Sequence, residues 1–410
     1  MKRLLFAFLL WAPLASAQTE KPEDFLMRQA SGTSTNPSAA PMHMHMTQLG
    51  DWMLMLHGNA FINQVWQSGP RGGDKLFSTN WIMGMADRPL GGGHLMIRSM
   101  LSLEPATITN RRYPELFQTG ETAYGRPLRD GQHPHDFFME LAAEYAYPIA
   151  PETIGYVYVA PVGDPALGPV AYPHRASAME IPQATLGHHT EDSTHIAMNV
   201  ITAGAKRGMF GAAASVFHGG EPDEKRWDIE GGRIDSWALR VTADPTPNWS
   251  AQLSTGHLKN PETLEPGSLQ RTTGSIAYSA TTSLGMWSSS LIAGRNNGHH
   301  QATNAWTAET LLQIAEKNWL TARGEIVDKN ELFDDNSVYQ IKALTLGYTR
   351  DVWSNAKIAG GVGGNFTIYD FPSALQASYG RNPRSFYLYV RFHNAAGMSG
   401  MGDMHTHHGM

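Results

Sequence analysis

The chain alternates, about sixteen times, between a segment of roughly ten residues with two-sided polarity and a connection rich in Gly, Pro, Asn or Asp. The segments are 52–67, 78–88, 94–106, 136–148, 153–162, 194–206, 209–218, 233–244, 248–258, 270–282, 284–295, 304–317, 319–330, 339–352, 355–370 and 385–392. Successive side chains on a strand point to opposite faces, so such segments can each present one apolar and one polar side. The connections also alternate in length. They are short at Leu90-Gly-Gly-Gly93, Pro151-Glu152, Thr246-Pro-Asn248 and Lys317-Asn318, and long at 107–135, 163–193, 219–232 and 371–384. An even number of strands with short turns on one side and long loops on the other predicts an all-β fold, a transmembrane antiparallel β-barrel of fourteen to eighteen strands. The short turns would be periplasmic and the long loops extracellular.

The ends of the chain fit export to an outer membrane. Lys2 and Arg3 precede the apolar run 4–14, and Ala15-Ser16-Ala17 reads as a cleavage site, so 1–17 is expected to be a signal peptide. Beyond it no stretch of 18 apolar residues would make a spanning helix. The last strand, Ser385-Phe-Tyr-Leu-Tyr-Val-Arg-Phe392, puts Phe386, Leu388, Val390 and Phe392 on one face and Tyr387, Tyr389 and Arg391 on the other. It resembles the closing strand of bacterial outer-membrane barrels. The expected order is a signal (1–17), a periplasmic N-terminal segment (18–51), the barrel (52–392) and a periplasmic tail (393–410). Charged residues make up 17%, against roughly 25% in average soluble proteins, and the net charge of −6 argues against a nucleic-acid partner.

Face assignment then locates chemistry. On the first strand Trp52, Leu54, Leu56, Ala60 and Ile62 read as lipid-facing, leaving Met53, Met55, His57, Asn59 and Asn63 to the lumen. On the third, His94, Met96, Arg98, Met100 and Glu104 face inward, and if Asp87 on the second does so, Met83 and Met85 do too. On the fourth, Phe137, Met139, Leu141, Ala143 and Tyr145 read outward and Asp136, Glu140 and Glu144 inward; on the sixth, Ile196, Met198 and Val200 read outward and His195 inward.

Two clusters of metal-ligating residues follow. One gathers at the periplasmic end: Met42, His43, Met44, His45 and Met46 just before the barrel, Met53, Met55, His57, His94 and Met96 on its wall, and Met404, His405, His407 and His408 in the tail. Thioethers suit Cu(I) or Ag(I) and imidazoles suit Cu(II) or Zn(II), so with no cysteine in the chain a copper or silver ion is the expected cargo. Ordinary packing is the competing reading for each lumen methionine. The second cluster comes from two long loops, as His133, His135 and Asp136 in Asp130-Gly-Gln-His-Pro-His-Asp136, and His188, His189, Asp192 and His195 in Leu186-Gly-His-His-Thr-Glu-Asp-Ser-Thr-His195. Strands four to six are close neighbours, so these side chains can converge, either on zinc or copper or as a hydrogen-bonded loop plug with Pro134 fixing the turn.

The whole mature chain resembles a group of uncharacterised Gram-negative outer-membrane proteins that carry such His-Pro-His-Asp and Gly-His-His loop motifs. A Met/His segment followed by a barrel also resembles the layout of the copper-resistance outer-membrane protein B family, in which that segment typically holds longer tandem repeats. The correspondence is one of organisation; it is the Met/His segments and the lumen methionines that lead to the expectation of copper or silver binding at the periplasmic side for metal resistance or efflux, with metal ions and a periplasmic metal-handling protein as partners. The residues themselves leave open a general or substrate-selective porin passing small solutes, its histidines shaping a plug. A hydrolase is the remaining alternative, but Asp192, Ser193 and His195 lie too close along one chain end to form a relay, so no enzyme and no organic cofactor is expected.

Overall fold

The computed structural model describes residues 20–263, 267–298, 301–335 and 337–395. Sixteen antiparallel strands close into a barrel. In chain order they are β1 (Trp52–Gln67), β2 (Asp74–Leu90), β3 (Gly93–Leu101), β4 (Phe138–Ala150), β5 (Thr153–Gly163), β6 (Ala197–Arg207), β7 (Phe210–His218), β8 (Ser236–Thr246), β9 (Trp249–Lys259), β10 (Ser268–Thr281), β11 (Met286–Asn297), β12 (Thr303–Ile314), β13 (Asn318–Lys329), β14 (Tyr339–Ser354), β15 (Ile358–Asp370) and β16 (Arg384–Asn394). β16 closes on β1, from Ser385 opposite Gln67 to His393 opposite Asn59. β1 runs past the end of β16, and the rim strand His45–Leu49 pairs with that overhang, His45 opposite Leu56 and Leu49 opposite Trp52.

The wall has the two-sided character that the alternation demands. Leu253, Leu291, Trp306 and Leu346 point outward and are each more than half exposed, whereas Arg98, Arg271, Arg323 and Arg391 on inward positions are buried. Aromatic side chains gather on the outer face near the short turns, with Trp249 4.7 Å from Tyr278 and Tyr278 5.3 Å from Trp287. Near the long loops Trp66 stacks on Phe386 at 5.8 Å. An apolar band with aromatic rings toward its edges suits a bilayer.

Two face assignments need correction. Met139 is buried rather than outward, because Met100 pairs with Glu140 and Leu101 with Phe138, which leaves Met139 as the extra residue of a bulge. Ile196, Met198 and Val200 are also buried, and Ile201 is the exposed residue. A bulge lies there too, with Asn199 at φ 54° and the pairing shifted between Met198 and Ile201. The physical reason is that this part of the lumen is itself an apolar core, so apolarity did not mark the outer face.

Among the described residues, three pieces of chain fill the lumen. The first is the segment before the barrel, which enters from the short-turn end. Its short helix Pro22–Met27 buries Phe25 and Leu26 against Met44, Met55, Met83, Met85, Met96, Met100, Met139 and Met198. The segment is tied further in where Arg98 donates to Gly32 O at 2.7 Å, Ser31 to Asp164 at 2.9 Å and Gln29 to Glu144 at 2.7 Å. Gly32 has φ +48°, and a Cβ there would stand 2.4 Å from Asp164 O, so the close approach needs glycine.

The second piece is the loop 164–196, buried over nearly its whole length. A long extracellular loop is expected at this position, but this one folds inward. Charge-assisted bonds pin it to the wall: Arg175 donates to Glu309 at 2.8 Å, Arg323 to Gln183 O at 3.1 Å, and Leu186 N to Glu325 at 2.6 Å. The third is the hairpin Tyr113–Ala123 with Arg126–Gln132, which closes the long-loop end. Phe117 stacks on Tyr379 at 4.1 Å, and Gln118 donates to Thr185 O at 2.9 Å.

Candidate functional site

The two His-bearing loops meet where the hairpin strand ends and β4 begins. Pro134 fixes the backbone between His133 and His135. On the lumen loop a single turn, His188–Glu191, is followed by a 3-10 turn, Ser193–His195, and the chain reversal presents His188, His189 and His195 to the same interior region. All five rings are buried. They form a continuous series, with ring centres 5.8 Å apart for His133 and His189, 5.1 Å for His189 and His188, 5.3 Å for His188 and His195, and 5.4 Å for His195 and His135.

Each ring but one is anchored through Nδ1. His133 donates to Pro134 O at 3.0 Å, His135 to Glu104 at 3.0 Å, His188 to Asp192 Oδ1 at 2.7 Å and His195 to Asp192 O at 2.8 Å. Burial holds His188 down at about 4 against the pull of Asp192, and burial together with His188 and His135 brings His195 to about 3. Burial also lowers His133 although Glu121 faces it, whereas at His135 burial is outweighed by Glu104 and the ring is raised. Four of the five thus have hydrogen-bonded Nδ1 atoms, and His133, His188 and His195 are neutral near pH 7.

Charged neighbours complete the region. Arg226, from the loop between β7 and β8, pairs with Glu121 and donates to Asp136 at 3.0 Å. Burial raises the Glu121 carboxyl, but the Arg226 guanidinium outweighs it and holds it ionised. Asp192 accepts from both His188 and Arg175. Ser193 donates to Glu221 at 3.0 Å and accepts from Arg271 at 2.8 Å, so Ser193, His195 and Asp192 make no nucleophilic relay.

The short-turn cluster is arranged differently. Met44, Met55 and Met96 lie inside the apolar core around Phe25 and Leu26, with Met42, Met46 and Met53 packed on its margin. Packing accounts for each of them. Met42, His43 and His57 line a cavity of about 100 Å³ together with Trp81, His174 and His393. His57 Nε2 is 3.2 Å from Met83 Sδ. His45 and His94 are drawn away, His45 to Lys357 O at 2.7 Å and His94 to Asp87 at 3.0 Å and Glu23 at 3.4 Å. Met404, His405, His407 and His408 lie outside the described residues.

Glu121, Arg175 and Arg226 are not among the residues that sequence pattern marks as ligands. Arg226 had a weak signal, a basic residue among acids in a long loop. Glu121 and Arg175 had none locally, since their partners are far along the chain: Arg175 and Glu309 are 134 residues apart.

No protein-family model matches the chain, and no curated protein matches its sequence. Solved structures do match its fold. An anion-selective porin from Comamonas acidovorans superposes with a TM-score of 0.55 at 12% identity, over 83% of this chain and 99% of the porin. OmpF of Salmonella typhi, solved in complex with daunomycin, gives 0.54 at 11% identity, over 85% of this chain and all of that one. At these identities the likeness is one of architecture, a porin-like barrel.

Proposed function

We propose that this chain is a porin-type channel of a Gram-negative outer membrane that passes small polar solutes and is closed at rest by its own chain. The observation that carries this reading is the inward face of the barrel. A storage or scaffold barrel would gain from an apolar filling, yet here the wall presents Arg98, Glu140, Glu144, Arg240, Arg271, Glu309, Arg323 and Glu325, all buried. Buried charges are costly unless paired, and a lumen lined with them is suited to water and solute once the occupying loop moves aside. The outward apolar band and the porin-like architecture support the same reading. Metal resistance through a soft-ion cluster finds less support, because the methionines it would use pack against one another and against Phe25 and Leu26.

The test is reconstitution in planar bilayers of the full chain and of a variant in which 20–44 is deleted and 113–132 and 165–195 are each replaced by a short Gly/Ser linker. The full chain should show rare openings and the variant a large steady conductance. A folded variant that conducts no better than the full chain would overturn the reading.

A further inference from the structure

The loop histidines hold lone pairs that the protein itself does not use. A carbonyl oxygen only accepts, so the Nδ1 atoms of His133 and His195 carry the ring proton, and their Nε2 atoms are acceptors. Nε2 of His133, His135 and His195 is buried without a hydrogen-bond partner, and neither ring nitrogen of His189 has one. Leaving a buried polar atom unpaired is costly, so the unpaired nitrogens of His133 and His189, which come together beside His188, call for a ligand. His133 Nε2 stands 2.9 Å from Glu121 Oε1 without hydrogen-bond alignment, an acceptor beside a carboxylate. A cation between them relieves that opposition. Imidazoles that bind metal through one nitrogen characteristically donate the other N–H to a carboxylate or carbonyl, which is how His133 and His188 are held.

We propose that His133, His188 and His189 bind one divalent transition-metal ion of the Zn(II) or Cu(II) class, with the Glu121 carboxylate at hand to complete the shell. One ring nitrogen of each histidine lies within 4.8 Å of those of the other two. Bonds of ~2.0–2.1 Å to a common centre require only a modest inward movement from there. All-nitrogen and oxygen donors without thiolate select borderline rather than soft ions. Because His133 precedes β4 while His188 and His189 belong to the lumen loop, the ion staples that loop in place. The site stands whether or not the barrel conducts.

The experiment uses the full chain, folded in detergent, stripped with a chelator and titrated with Zn(II) alone and then Cu(II) alone, metal content being measured after dialysis. The parent and His257→Gln, a control on the β9 wall, are each expected to hold one equivalent more than His133→Gln or His189→Gln. Uptake unchanged by both loop substitutions, or no uptake by the parent, overturns the proposal. If the variants fail to fold, X-ray absorption of the zinc-loaded parent decides: scattering from about three imidazoles supports the site, and an oxygen-only shell overturns it.

Discussion

Glu115 sits on the closing hairpin with almost no access to water, and its Oε2 has no hydrogen-bond partner. Burial first, and then the neighbouring Glu325, push its carboxyl well above the usual range. The folded protein therefore keeps a proton that the unfolded chain releases near pH ~4.3. Since the folded state binds more protons, the contribution of Glu115 to stability falls as pH rises from there toward the folded-state value. Glu115→Gln has no proton to lose, so its thermal midpoint in detergent should fall less than the parent's between about pH 5 and about pH 9. Parallel midpoint curves would show that the carboxyl is not held protonated. At this scale the sequence was legible wherever polarity and face agree: Asn59, Asn63, Arg98, Glu140 and Glu144 are all inward and buried. It misled at Met139, Ile196, Met198 and Val200, where the lumen is as apolar as the outer face and two bulges break the alternation.

At the scale of elements, the strands were legible because each is written locally, in alternating side chains bounded by turn residues. The five loop histidines could be brought near one another from the order of the strands that carry them. What the loop 164–196 does was not legible, because nothing in its own composition distinguishes a loop that folds inward from one that reaches outward. Its position depends on Arg175 finding Glu309, on Leu186 N finding Glu325, and on Gln183 pairing with Asn365 at 182 residues' separation. The loop 219–235, by contrast, is largely exposed, with Trp227 and Ile234 open to solvent. A protease added to intact cells should consequently cut within 219–235 and spare 164–196. Cleavage in 164–196 at a comparable rate would mean that the loop does not rest in the lumen.

For the molecule as a whole, the consequence of these placements is closure. The N-terminal segment, the inward loop and the hairpin occupy the short-turn end, the middle and the long-loop end in turn, and between them lie small spaces, such as the cavity of about 30 Å³ beside His135 and Tyr172. If the barrel conducts as proposed, passage of a solute requires the inward loop to leave the wall and the two end pieces to give way. Among the contacts that hold it are the polar ones of Arg175, Gln183 and Leu186 N, which water can replace at lower cost than it could an apolar seal. The chain has no cysteine, so a single engineered disulfide can be read without interference. Ser177 on the loop and Ser290 on β11 already touch, Oγ to Oγ at 2.8 Å, which is close enough for a bridge between cysteines placed there. The decisive measurement is the conductance of the Ser177→Cys/Ser290→Cys protein in a planar bilayer, first oxidised and then treated with a reductant. Openings should be absent while the bridge is intact and return to the level of the parent when it is reduced; equal conductance in the two states, with the bridge verified, would contradict a channel gated by its own loop.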